Sequence, residues 1–122
     1  LALTKVGCKY SQEHRYEEGY YDCSSLVQRL YQEVGISLPA IASTQGEFMV
    51  THGLEVTEGE LEPGDLIFYS YEQNGQFRNI SHVAIYVGNG RMVHAANSRR
   101  GVVNDPFNPS NIGLYGRPSR LQ

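Results

Sequence analysis

The feature that most constrains this chain is a pair of histidines set on either side of a glycine-rich turn. His82–Val87 is a run rich in β-branched residues, Gly88-Asn89-Gly90 is a turn signal, and Arg91–Ala96 reads as the returning strand. A three-residue loop closing with Val87 opposite Arg91 puts Ala84 across from His94 and Ala96 across from His82. Both histidines then share one face as diagonal neighbours, about 7–8 Å apart at the backbone. A two-residue loop shifts the register by one and sends them to opposite faces. The three-residue form, with Gly90 left-handed, suits Gly-Asn-Gly. The other face carries Val83, Ile85, Val87, Val93 and Ala95, an apolar set for packing.

Upstream, the period is that of a helix. Asp22 reads as the N-cap, since its carboxylate can accept from the unpaired amides of a first turn. Leu26, Val27, Leu30, Tyr31 and Val34 follow along one face, and Gly35 supplies a left-handed stop. A second short helix is expected over 41–50. Glu62-Pro63-Gly64-Asp65 is a turn, and Asp65–Tyr71 alternates as a strand. Residues 8–21 lack a period and read as an ordered loop. Beyond Asn97 the chain is rich in Asn, Pro and Gly, with one short strand expected at Leu114–Arg117. A helix followed by an antiparallel meander points to an α+β fold. The length of 122 residues fits one domain over 1–122.

Ten basic and thirteen acidic residues give a formal net charge of −3, which excludes nucleic-acid binding by bulk positive charge. No apolar run approaches the ~20 residues of a membrane span. The chain starts Leu1-Ala2-Leu3-Thr4 without an initiator Met. It is expected to be a mature chain or a domain excised from a longer exported protein, and a monomer.

Cys23 sits in the first turn of the expected helix, where unpaired amides and the helix dipole favour an anion and lower a thiol's pKa. A nucleophilic Cys needs a base, and the base needs an orienting partner; His82 and His94 supply both. Each residue also has a plainer reading: a small Cys packed under the helix, and two histidines on a half-exposed sheet. A Cys23/His82/His94 zinc site would lack a fourth ligand, and the sequence has no CxxC, so no metal and no cofactor are expected. A Cys8–Cys23 disulfide would disable the nucleophile, and none is expected. His14 and His52 read as surface residues.

Three segments, taken together, carry a resemblance. They are Tyr21-Asp22-Cys23-Ser24-Ser25-Leu26-Val27, Pro63-Gly64-Asp65-Leu66-Ile67-Phe68, and Ser81-His82-Val83-Ala84-Ile85-Tyr86-Val87-Gly88-Asn89-Gly90 with Val93-His94-Ala95. In this order they resemble the NlpC/P60 family, papain-like cysteine peptidases of bacterial cell-wall peptides. The resemblance runs from about Gly7 to Ala96 and more weakly to Gly116-Arg117-Pro118. It departs where Lys9 stands for a Pro, Gln12 for a Trp, Ser25 for a Gly and Ala40 for an Arg or Lys.

The resemblance implies a papain-like fold with the nucleophile's helix packed on an antiparallel sheet. It implies Cys23 as nucleophile, His82 as general base and His94 as the residue that orients the base. Tyr10 matches a Tyr near the nucleophile. Asp22, Ser24 and Ser81 match positions lining the pocket for the peptide's N-terminal side. For Asp22 this competes with capping, and the two roles are compatible only if its two oxygens divide the work. The implied substrate is a peptidoglycan stem peptide, cut between γ-D-glutamate and meso-diaminopimelate or L-lysine, outside the cell or at the cell wall. A Cys23 thiolate paired with a His82 imidazolium is the expected resting state. An Asp22 carboxylate holding a free N-terminal amine would favour L-Ala-γ-D-Glu ends, and tyrosines 10, 16, 20 and 21 would wall the cleft. The same scaffold also fits a related amidase or acyl-transfer enzyme, or a non-catalytic domain that binds wall peptides.

Overall fold

Asp22 starts the first long helix through its own side chain. In a computed structural model describing residues 2–121, its Oδ1 accepts from the Ser25 amide at 2.8 Å and the Ser25 hydroxyl accepts from the Asp22 amide at 2.9 Å. Leu1 and Gln122, the ends of the expected 1–122 domain, lie outside the described residues. This reciprocal cap satisfies two orphan amides of the helix start, a contribution of about 1 kcal/mol. It also gives Ser25, one of the departures above, a structural role. The helix α1 spans Cys23–Glu33. Leu26, Val27 and Leu30 are buried along it, as their spacing predicts, but Val34 is the C-cap and is 45% exposed. Gly35 follows at φ +87° and ends the helix. The second helix, α2, covers Ala42–Thr51.

The strands are β1 (Lys9–Tyr10), β2 (Tyr20–Tyr21), β3 (Glu55–Val56), β4 (Leu66–Tyr69), β5 (His82–Gly88), β6 (Arg91–Asn97), β7 (Gly101–Pro106) and β8 (Ile112–Gly116). Six of them form an antiparallel sheet in the order β3-β8-β4-β5-β6-β7. This is the α+β arrangement expected. The strands β1 and β2 form a separate parallel pair inside the 8–21 segment. That segment is ordered largely by one side chain. Arg29 Nη1 donates to the carbonyls of Arg15, Glu17 and Tyr20 at 2.9, 3.3 and 2.7 Å, and its guanidinium lies 4.2 Å from the centre of the Tyr21 ring.

Both faces of the sheet are covered. On one face Leu26, Val27 and Leu30 of α1 and Met49 of α2 pack with Leu66, Phe68, Val83, Ile85, Val93 and Ala95. On the other, Ile67, Tyr69, Ala84, Met92 and Tyr115 form a smaller cluster under Phe107. This is why β4 is apolar at every position and buried throughout instead of alternating between core and solvent.

The histidine hairpin reaches the expected geometry by another route. Asn89 and Gly90 both have positive φ, +54° and +70°, the signature of a two-residue type I′ turn. A bulge between Tyr86 and Gly88, which faces Arg91, absorbs the resulting shift. Beyond it the register is Tyr86↔Met92 and Ile85↔Val93, so both histidines stay on one face. Gly88 takes φ +90° in this bulge, with Pro63 Cγ 3.3 Å from where a Cβ would sit. Gly88→Ala should therefore lower the unfolding free energy by about 1–3 kcal/mol. Gly59→Ala, in open space at ordinary φ, should change it little. Urea unfolding of both variants tests this, and equal losses would refute the role given to the bulge.

Candidate active site

The capped start of α1 delivers Cys23 to the edge of β5. The backbone amides of Val83 and Ser24 hydrogen-bond its sulfur, so the thiol lies one residue along the strand from His82. Beyond the sulfur, Tyr71 senses its charge, and the Tyr71 ring centre is 6.4 Å from that of His82. Tyr10, on β1, senses both Cys23 and Asp22. Burial raises the pKa of Tyr10 and Tyr71, so both keep their protons as potential donors.

From His82 a chain of hydrogen bonds runs inward. His82 Nε2 lies 2.8 Å from His94 Nδ1, and His94 Nε2 lies 2.8 Å from Asp105 Oδ2. The carboxylate can only accept, and this orders the whole chain. His94 donates from Nε2, its Nδ1 accepts from His82 Nε2–H, and His82 Nδ1 is left with its lone pair. Asp105 is in turn held by Arg100, with Nη1 to Oδ2 at 3.0 Å and Nη2 to Oδ1 at 2.7 Å. That forked contact leads the causes that lower the Asp105 pKa from 3.8 to about 2, so the carboxylate is charged at any ordinary pH.

Asp105 is a site residue that sequence reasoning missed. It sits on β7, an edge strand whose Asn104-Asp105-Pro106 composition reads as loop. The spacing offers no signal for it, because the His94↔Val103 register depends on pairing that only the folded sheet supplies.

The electrostatics of the free site also differ from expectation. A helix start is worth at most about 2 kcal/mol to an anion. Burial of the sulfur outweighs it and pushes the thiol from 9.0 to about 11. Burial, and then the neighbouring His94, takes His82 from 6.5 down to about 3. Burial therefore opposes the charged form of each group, against the direction that a thiolate–imidazolium pair needs.

Beside the thiol lies an open cleft of about 390 Å³, lined in part by Asp22, Ser24, Ser81, Arg15 and Gln76. Tyr10, Tyr16, Tyr20 and Tyr21 are not among its lining residues, and Tyr21 is instead buried in the core. The two oxygens of Asp22 do divide their work, but the second is not free. Oδ1 caps α1, and Oδ2 lies 3.3 Å from Arg15 Nη1. Gln45 braces this end of α1, donating to the carbonyls of Ser24 and Pro39 at 3.0 and 2.9 Å.

Comparison with known proteins gives a consistent result. The chain matches the NlpC/P60 family over residues 7–112. It is 33% identical over 101 residues to a γ-D-glutamyl-L-lysine dipeptidyl-peptidase of Bacillus cereus, covering 82% of this chain and 28% of that protein. It is 38% identical over 99 residues to a bifunctional muramidase/DL-endopeptidase of Bacillus subtilis, covering 80% of this chain and again 28% of the relative. Among solved structures, NlpC1 of Trichomonas vaginalis superposes with a TM-score of 0.82 at 30% identity, covering 97% of this chain and 41% of that one.

The depressed His82 pKa has a consequence for stability. Between about 3 and 6.5 the unfolded chain binds a proton at this position that the folded chain refuses. Stability is therefore complete above pH 6.5 and is lost as pH falls toward 3, by up to about 1.4 kcal/mol per pH unit. His82→Asn should remove that slope, whereas the Asp105 contribution is lost only below 3.8. Urea unfolding from pH 7 to pH 4 distinguishes the cases; parallel profiles for wild type and variant would refute a buried neutral His82.

Proposed function

Because this chain belongs to the NlpC/P60 family, whose relatives above include peptidoglycan-acting peptidases, we propose that it is a cysteine endopeptidase of peptidoglycan stem peptides. It cuts the bond between γ-D-glutamate and the following diamino acid, outside the cell or at the wall, and acts as a monomer. The observation that best supports this reading is the ordered chain from His82 through His94 to Asp105. It leaves a neutral imidazole nitrogen available at the strand position next to the amide that contacts the thiol.

In this mechanism Cys23 Sγ attacks the γ-carbonyl carbon as its proton passes to His82 Nδ1. The carbonyl π electrons move to oxygen, where the Cys23 backbone N–H and the Tyr10 hydroxyl donate to the oxyanion. The carbonyl re-forms, the C–N bond breaks, and His82 gives its proton to the departing amine. A thioester remains. Water then loses a proton to His82 and attacks the thioester carbon, and the proton returns to sulfur as the acid leaves. During each step His82 is transiently positive. His94 holds its Nε2–H, and the Asp105 charge behind His94 favours that cation. Asp22, Ser24 and Ser81 line the cleft for the N-terminal side of the peptide.

Digestion of L-Ala-γ-D-Glu-meso-diaminopimelate and its L-Lys counterpart, followed by mass spectrometry under reducing conditions, tests this reading. Wild type should release L-Ala-γ-D-Glu, and Cys23→Ala should release none. Asp105→Ala should lower kcat by about tenfold or more while the fold persists, since general-base chemistry of this kind contributes about 10²–10⁴-fold. Turnover retained in Cys23→Ala would overturn the mechanism. Cleavage at a different amide would move the assignment to a related amidase.

A further inference from the structure

Tyr71 is a large aromatic side chain that the core does not claim. It lies two residues past Tyr69 and is 53% exposed, whereas Tyr69 is fully buried. The two rings stack almost parallel, with centres 5.6 Å apart and planes 6° from each other. Tyr69 is itself pinned, since its hydroxyl donates to the Asn108 carbonyl at 2.8 Å. Tyr71 is thereby backed by a fixed partner while much of its ring stays open. Both rings border the base, with centres 5.9 and 6.4 Å from that of His82.

The path of the reaction says what reaches this ring. Cys23 lines the cleft together with Ser24 of α1 and Ser43 of α2, and neither His82 nor Tyr71 belongs to that lining. His82 hands its proton to the departing amine, so the amine lies on the imidazole's side of the thiol. The residue that begins with this amine then lies beside the rings around His82. Of Tyr69, Tyr71 and His94, the three rings recorded against His82 among the described residues, Tyr71 is the exposed one. A tyrosine face takes methylenes by apolar contact and an ammonium through its quadrupole. The charge that acts on the Tyr71 hydroxyl is that of Cys23, and no arginine or lysine among the described residues adds to it. A cation arriving there meets no like charge. We infer that Tyr71 is a specificity-determining platform for the leaving residue, holding the long cationic side chain of the diamino acid against its open ring face. This rests on the endopeptidase reading and adds to it a contact on the amine side of the scissile bond.

The test compares L-Ala-γ-D-Glu-L-Lys with L-Ala-γ-D-Glu-L-Ala. Wild type should cleave the lysine peptide with kcat/KM about tenfold or more higher, the scale of a cation over a tyrosine face plus the methylenes that carry it there. The difference should lie mainly in KM. Tyr71→Phe keeps the ring face and should retain the ratio, whereas Tyr71→Ala should bring it to within about threefold of unity. A ring that merely packs beside His82 would slow both peptides together, so an unchanged ratio in Tyr71→Ala overturns the inference. Equal cleavage of the two peptides by wild type overturns it as well. The leaving fragment gives a second readout that needs neither a variant nor turnover. In the wild-type protein, the side-chain methylene protons of L-Lys-D-Ala should show nuclear Overhauser contacts to the Tyr71 ring. Contacts only to other rings, or no binding, overturn the inference. If wild type cleaves neither tripeptide, the endopeptidase reading fails, and the contacts of the dipeptide alone decide the role of Tyr71.

Discussion

The packing of α1 across β5 and β6 is the contact on which the rest of this structure depends. Leu26, Val27 and Leu30 press on Val83, Ile85 and Val93, all of them fully buried or nearly so. Each such side chain contributes on the order of 1.5–3 kcal/mol when removed from water. This apolar seam is what holds a helix N-terminus against the edge of a strand. Cys23 lies at that N-terminus and His82 at the start of that strand. The histidines lie on the opposite face of the same two strands from this seam, beside Ala84 and Met92 of the smaller cluster.

Two arginine–carboxylate pairs bracket the site and do different work. Arg100 on Asp105 is exposed and forked; it leaves the carboxylate ionised and fixes its orientation toward His94. Arg15 on Asp22 is drawn into the wall of the cleft and neutralises the charge of the carboxylate that caps α1. The first pair stands behind His94, and the second beside Cys23 in the cleft wall. Neither arginine belongs to a recognisable motif, since each lies in a segment of irregular sequence and reaches its partner through the fold.

Much of the site was legible because its elements announce themselves locally. Asp22 ahead of a helical period marks a cap, and the cap places Cys23 in the first turn. The β-branched strands around Gly88-Asn89-Gly90 mark a hairpin, and period-two geometry then sets both histidines on one face. Even there the physical route differed. The turn takes two residues, and a bulge restores the register that a three-residue loop would have given directly. The strands β3 and β7 were not legible. The first is two residues long, and the second mixes valines with Asn, Asp and Pro and is stabilised only by its neighbour β6.

The sequence by itself determined the α+β order of elements and the places of Cys23, His82 and His94 on them, because caps, turns and periodicity are short-range effects written in adjacent residues; the family was legible only through the resemblance of three motif segments. The tertiary structure alone decided which carboxylate stands behind His94, which arginine faces Asp22, and how the thiol and imidazole titrate. Those depend on distances across the sheet and on desolvation, and burial at Cys23 outweighs the helix-start effect that local reasoning anticipates. Charge compensation and dielectric environment are properties of the packed neighbourhood, which no stretch of contiguous residues contains.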